Sequence, residues 1–392
     1  MAENTAEKTE LTANRIVLVV SNLAHGGEGS VTISLARRLK KEGREVLVLF
    51  NGGSGQNALR SAGVETVLYP HFRIPWLFWR SWSGLAQIQA FKPDLIHVQG
   101  HDLGTFVKQL ASRLQCPYVL TVNDHIGKLK NLRTDRKWLR LIIAVSEVLR
   151  EELVNAIRVP KERIRLIPHG VNVTNLKRFL PGGHSSNGGQ EGAAPIIKSE
   201  ANGAIPVVGT IVPLVNDKGL QFFLRAARDV LEQKDSVHFL VAGQGLGNLK
   251  IRDLAKKLGL NGSITFVDYV DDHVQLIQAM DIFVLPVVKE GFGLSALEAM
   301  ACGRPVVASG VGGLYSIVRD RETGLVVPSH DSGALSTAII ELLDHPELAG
   351  ELTTKALEMV ENEFNQEVLF QKIFNTYDEA IEEIENGSSS KF

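Results

Sequence analysis

The sequence predicts an α/β protein built from two Rossmann-like domains. Three observations carry this. The chain has 392 residues, a length for which two domains is the ordinary expectation. Apolar runs of strand length alternate with helical patterns, as parallel sheets covered by helices require. Each half also holds a glycine-containing loop between a strand and a helix, Gly26 to Gly29 in the first and Glu290 to Gly293 in the second. The expected boundaries are a loose polar tail over 1–14 and a first domain over 15–180. A linker or surface loop rich in Gly, Ser, Pro and Asn follows over 181–204. A second domain spans 205–365, and a final helix and tail span 366–392.

Composition excludes several classes. The net charge of −2 argues against nucleic acid as a main partner. The two cysteines, Cys116 and Cys302, form no metal or redox motif and fit a reducing cytoplasm. No apolar run approaches the ~20 residues needed to span a bilayer. Neither a cofactor nor a metal is expected.

In the first half, Ile16 to Val20 reads as a buried parallel strand, and the helical pattern after Gly26-Gly27 runs to Gly43. Arg44 to Phe50 is the second strand. The dinucleotide fingerprint is missing: Thr32 stands where the third Gly belongs, and the strand ends at Asn51 rather than at an acid, so an NAD enzyme is disfavoured. Trp76, Trp79 and Trp82 recur every third residue and would share one helix face. That pattern fits a core-facing stripe, an acceptor pocket or an interfacial patch. Pro93 to Val98 and Tyr118 to Val122 are strands, with His101 beyond the first and Asn123-Asp124-His125 beyond the second. Lys128, Lys130, Arg133, Arg136, Lys137 and Arg140 face a single acid, Asp135. A solvated helix face, an anionic acceptor and a membrane surface all fit that run. Leu141 to Val145 is a strand, and Ser146 caps the next helix.

In the second half, Ile205 to Val212, Phe239 to Ala242 and Ile264 to Val267 are strands. Ile282 to Leu285 is another, ended by Pro286; Leu294 to Ala301 is a helix with Gly303 as its C-cap, and Pro305 to Ala308 begins the next strand. The loop between them lies where open α/β sheets bind ligands, at a helix start that favours an anion. Glu290 and Glu298 flank it. Carboxylates there repel an anion but accept hydrogen bonds from hydroxyls, so a ligand with hydroxyls at both ends and phosphate between them fits: a sugar nucleotide. Two blander readings stand beside this. Ser295 and Glu298 have capping-box spacing, and Glu290 suits a solvated loop.

The text Glu290-Gly291-Phe292-Gly293-Leu294, then Glu298-Ala299-Met300-Ala301, then Gly303-Arg304-Pro305-Val306, resembles the Glu-x7-Glu signature of family-4 glycosyltransferases. These are retaining, metal-independent enzymes of the GT-B fold, two Rossmann-like domains with parallel sheets facing across a cleft. The resemblance implies hexose transfer from a nucleoside-diphosphate sugar to an acceptor hydroxyl, with the proton leaving on the departing phosphate. It implies that Glu290 orients sugar hydroxyls, that Glu298 holds the ribose, that Gly26 and Gly27 face the donor phosphates, and that Gly291 to Leu294 line the donor. Lys218 fills one of the family's two diphosphate cations. Thr210 occupies the place of the other, an Arg, for which Lys289 and Arg304 are candidate substitutes. Asn123 stands where relatives carry a His near the reacting carbon, and His169 where they carry Asn. The loop Asp268 to Asp272 is where relatives hold the base. The acceptor is open, with a lipid-linked or anionic one favoured. The setting expected is cytoplasmic, either free or peripheral on the inner face of a membrane. Two rival functions remain: a sugar-nucleotide epimerase on the same fold, and a non-catalytic nucleotide-sugar-binding member.

Overall fold

The computed structural model describes residues 13–23, 27–69, 82–125, 137–176, 205–213, 218–243, 249–267 and 273–385. The first half runs β1 (Arg15–Val20), α1 (Gly27–Lys41), β2 (Glu45–Phe50), α2 (Gln56–Arg60), β3 (Glu65–Leu68), α3 (Trp82–Phe91), β4 (Leu95–Gln99), α4 (Gly104–Leu114), β5 (Tyr118–Val122), β6 (Leu139–Ala144), α5 (Glu147–Glu152), β7 (Ile164–Leu166) and α6 (Val173–Leu176). Its strands form one parallel sheet in the order β3-β2-β1-β4-β5-β6-β7. The second half runs β8 (Val207–Ile211), α7 (Leu220–Leu231), β9 (His238–Ala242), α8 (Leu249–Lys257), β10 (Ile264–Val267), α9 (His273–Gln278), β11 (Ile282–Leu285), α10 (Leu294–Ala301), β12 (Val306–Ser309), β13 (Leu325–Val327), α11 (Ser332–Asp344), α12 (Pro346–Glu363) and α13 (Gln366–Glu385). Its parallel sheet has the order β10-β9-β8-β11-β12-β13. The architecture is the two-sheet α/β fold expected.

The central strands are buried on both faces, which is why they read as continuous apolar runs. Ser146 caps α5, its hydroxyl accepting the Leu149 N–H at 3.4 Å. The last helix, α13, packs on the first sheet, where Leu369, Phe370, Phe374 and Tyr377 join the core around Ile16 and Leu18. Its attachment is also polar. Tyr377 Oη lies 2.5 Å from His97 Nδ1, and His97 Nε2 lies 2.7 Å from Thr121 Oγ1. Burial pushes the His97 imidazole down to about 3, so it stays neutral as a core hydrogen-bonding group. Glu379 pairs with Arg165, and Asp378 lies 3.6 Å from Arg44.

Some expectations lie outside the described residues: Gly26, Trp76, Trp79, the cations from Lys128 to Arg136, and the loop from Asp268 to Asp272. At the end of the basic run, the reading of a solvated helix face needs correction. Arg140 sits half-buried in β6, and Lys137 lies 4.8 Å over the Trp138 ring.

Candidate active site

In the second sheet, β8 is followed by β9 on one side and later flanked by β11 on the other. Strand order reverses there, which opens a crevice beyond the strand ends. Lys218 follows β8 and Glu290 follows β11, and the fold brings them together: Lys218 Nζ donates to Glu290 Oε2 at 2.9 Å, with both side chains about a fifth exposed (18% and 20%). Gly219 makes this geometry available. It has φ +67°, and a Cβ there would stand 1.7 Å from the Pro286 carbonyl oxygen, so the turn before α7 lies directly on the end of β11. Gly219 and Gly293 are the N-cap residues of α7 and α10, and neither helix start carries a side-chain cap. The positive ends of two helix dipoles therefore flank a lysine and a carboxylate.

Because Gly293 is the N-cap, Ser295 lies inside α10, and the capping box between Ser295 and Glu298 is not formed. Glu298 is half-buried one turn into the helix. The Phe292 ring is buried against His169 and Phe364, at centroid distances of 5.4 and 6.0 Å, so what Phe292 offers a ligand is its backbone. Thr210 is fully buried within β8, and its hydroxyl has no hydrogen-bond partner among the described residues. Arg304 cannot replace the missing cation. It is buried at the start of β12, beside Asp281, whose carboxylate accepts the Val207 N–H at the start of β8. That is the opposite end of the strands from the crevice. Lys289 is exposed on the Glu290 loop and remains available.

The first sheet has its own reversal, between β1 and β4. Glu28, the second residue of α1, lies over it, close enough that a Cβ on Gly100 would stand 3.1 Å from both of its carboxylate oxygens. Asn123 follows β5, the next strand. Its amide Nδ2 donates to Glu28 Oε1 at 2.9 Å, and its Oδ1 accepts from His169 Nε2 at 2.8 Å. Burial pushes the Glu28 carboxyl up to about 7, with Asp102 and Asp124 adding to the rise and the Asn123 bond opposing it. Burial pushes His169 down to about 4, which keeps it a neutral donor. Sequence reasoning did not assign Glu28 and His169 to the site. One signal was available for His169: Asn123 and His169 are the reverse of the His and Asn of the resembling family, and the structure puts the two in direct contact.

The two crevices meet. A Cβ on Gly291 would stand 2.1 Å from the Asn123 carbonyl oxygen and 2.7 Å from Asp124 Cα, so the two loops touch backbone to backbone. His125 pairs with Glu152 of α5 at 3.0 Å and lies against Gly312, next to the Glu290 carbonyl. The structure thus gathers Lys218, Glu290, Gly291 and Asn123, while Thr210 is sequestered beneath them.

Residues 204–345 match the family model described as Glycosyl transferases group 1, and residues 25–175 match that for Glycosyltransferase Family 4. An uncharacterized glycosyltransferase of Methanocaldococcus jannaschii is 26% identical over 377 residues, 89% of this chain and 93% of that protein. A D-inositol 3-phosphate glycosyltransferase of Catenulispora acidiphila is 33% identical over 228 residues, 55% of this chain and 51% of that protein, so the match spans about half of the relative. Among solved structures, the Anabaena protein HepE in complex with UDP and glucose is similar, with a TM-score of 0.77 at 20% identity, covering 93% of this chain and 99% of that one.

Proposed function

Because this chain is a glycosyltransferase of the GT-B type, we propose that it moves a hexose from a nucleoside-diphosphate sugar to an acceptor hydroxyl, with retention of configuration and without a metal ion. The observation that carries the reading is the Lys218–Glu290 pair at the β8/β11 reversal, between two uncapped helix starts. Without donor, lysine and carboxylate neutralise each other. With donor, the diphosphate takes Lys218 and the helix N–H groups, which stabilise the charge developing on the leaving phosphate. Glu290 is released to the sugar hydroxyls, and Glu298 holds the ribose. Proton NMR of the product tests retention: the new glycosidic bond keeps the donor's anomeric configuration, and an inverted product contradicts the mechanism.

Glu298→Gln should weaken UDP binding by about 1–3 kcal/mol, the range for a hydrogen bond to a charged group. Calorimetry checks this. Equal affinity with a lower melting temperature would return Glu298 to a purely structural role. A second reading, binding without turnover, is favoured by the buried, uncharged Thr210 where a phosphate cation is expected.

The acceptor proposed is lipid-linked or anionic, supported by Trp76, Trp79 and Trp82 and the cations from Lys128 to Lys137 in one half of the chain. Among the described residues no helix is long and apolar enough to cross a membrane. Reversible association with an anionic surface needs no such helix, and each cation would add roughly 1 kcal/mol at low salt. Co-sedimentation with phosphatidylserine vesicles should be seen at low salt, lost at high salt, and reduced by Lys128→Glu with Lys130→Glu. No binding at low salt would remove the membrane.

A further inference from the structure

The β1/β4 reversal of the first domain holds a carboxyl group that the donor chemistry does not use. Glu28 is placed there by three strand ends: α1 follows β1, Gly100 follows β4 and Asn123 follows β5. Its Oε1 is fixed by the Asn123 amide, and Asn123 is fixed by His169, which packs edge-on against Phe292 of the donor loop. This hydrogen-bonded chain leads from the first domain's crevice to the donor loop, and Gly291 seals its far side against the Asn123 backbone. Glu28 Oε2 accepts no hydrogen bond from any described residue. Resting on the glycosyl-transfer reading above, the geometry points to Glu28 as a catalytic residue whose Oε2 accepts the hydrogen bond of the incoming acceptor hydroxyl and aims its oxygen at the anomeric carbon.

The step balances without Glu28 changing its own bonds. The acceptor oxygen bonds to the anomeric carbon, the bond from that carbon to the diphosphate oxygen breaks with its electron pair, and the hydroxyl proton, held first in the hydrogen bond to Glu28 Oε2, turns to the leaving phosphate oxygen as negative charge develops there. Glu28 must be ionised to accept from the hydroxyl. The groups facing it are Asp102 after β4, Asp124 after β5 and, through Asn123, neutral His169; no described cation faces it. With its carboxyl held up to about 7, the productive form appears as pH rises through neutrality. The same shift has a structural cost. The folded state holds this proton more tightly than the unfolded chain, whose carboxyl titrates at 4.5, so the stability contributed by the protonated form is lost as pH rises from about 4.5 to about 7. A carboxyl that destabilises the fold at neutral pH is what a functional site retains.

The test uses the full chain with UDP-glucose, UDP-N-acetylglucosamine and GDP-mannose, water serving as the acceptor, and donor hydrolysis followed from pH 5.5 to 9. Glu28→Gln is expected to bind UDP within twofold of wild type and to melt higher than wild type at pH 8. It should hydrolyse donor roughly 10- to 100-fold more slowly, as for loss of a hydrogen bond to a charged group, and lose the rise of rate near pH 7. Glu28→Asp, which keeps the charge but withdraws it, should retain the pH-dependent limb at reduced rate. A Glu28→Gln enzyme matching wild type in rate and pH profile overturns the role of Glu28 and leaves the functional reading intact. So does a variant that melts lower and loses UDP affinity in parallel, because that marks a structural residue. Where water alone gives no turnover, the same comparison is made with cell extract as acceptor source; a wild-type protein that releases nucleoside diphosphate from none of the three donors under either condition sinks the functional reading and this inference with it.

Discussion

Replacing Glu290 with alanine should leave UDP binding at least as tight as in wild type and slow sugar transfer roughly 10- to 100-fold, the range expected for losing a hydrogen bond to a charged group. The opposite signs follow from the 2.9 Å pair with Lys218. In the ligand-free protein Glu290 holds the lysine that a diphosphate would take. Removing the carboxylate frees that cation for phosphate and deletes the acceptor for sugar hydroxyls. Lys218→Ala should do the reverse to binding. UDP affinity should fall roughly 10- to 100-fold, while uridine, with no phosphate to meet the point charge, should bind as before. Calorimetry with UDP and uridine on both variants checks the pair. Equal losses of the two ligands in Lys218→Ala would remove lysine from the phosphate site. Were Lys218→Ala to keep ordinary UDP affinity, Lys289 would be the cation to test next.

Gly219→Ala should be the most damaging single methyl group at the site. The residue sits at φ +67°, and its Cβ would stand 1.7 Å from the Pro286 carbonyl oxygen, a backbone atom at the end of β11. Left-handed strain costs a non-glycine residue on the order of 1–3 kcal/mol, and the clash adds to it. A total of about 3 kcal/mol or more corresponds to a drop in melting temperature of roughly 5–10 °C. Gly63→Ala is the control: φ is +68° there too, but nothing lies within 4 Å, so only the conformational cost remains. Thermal melts of the two variants separate strain from clash. Equal shifts would mean that the Lys218 turn does not rest on β11, and that the crevice is looser than described.

Much of the fold is legible in the sequence, for a physical reason. Tyr118–Val122, Ile264–Val267, Ile282–Leu285 and Leu294–Ala301 were read to the residue. Tyr118–Val122 and Ile282–Leu285 are continuous apolar runs buried inside parallel sheets and closed by asparagine or proline, whereas Ile264–Val267 is an edge strand read from its β-branched and aromatic residues. The strands not read are β3, β7 and β13, and all three are edge strands of three or four residues with partly exposed patterns. At these three, burial writes little into the residue pattern; β10, also an edge strand, is legible because all four of its residues are β-branched or aromatic.

The site divides in the same way. Glu290 and Lys218 stand out because glycines flank them, but the pairing itself spans 72 residues of sequence. Glu28 and His169 reach Asn123 across 95 and 46 residues, and neither lies in a spacing that singles it out. His169 and Asn123 could be noted as two departures from the family text. That they are one exchanged pair is visible only once β5 and the segment after β7 are side by side. Arg304 misled for the converse reason: adjacent in text to the signature, it is carried by α10 to the far end of the sheet.

The central claim is that sugar transfer to an acceptor hydroxyl runs through the Lys218–Glu290 crevice, with water as a slower acceptor. The most direct measurement is nucleoside diphosphate release from a panel of sugar nucleotides, with and without cell extract as the acceptor source, and mass spectrometry of the product. The account predicts release that extract accelerates, a product heavier by one hexose, and a fall of roughly 10- to 100-fold in the rate of both in Glu290→Ala. Binding with no release, or a sugar epimerised while still attached to its nucleotide, would contradict it and point to the non-catalytic member or the epimerase instead.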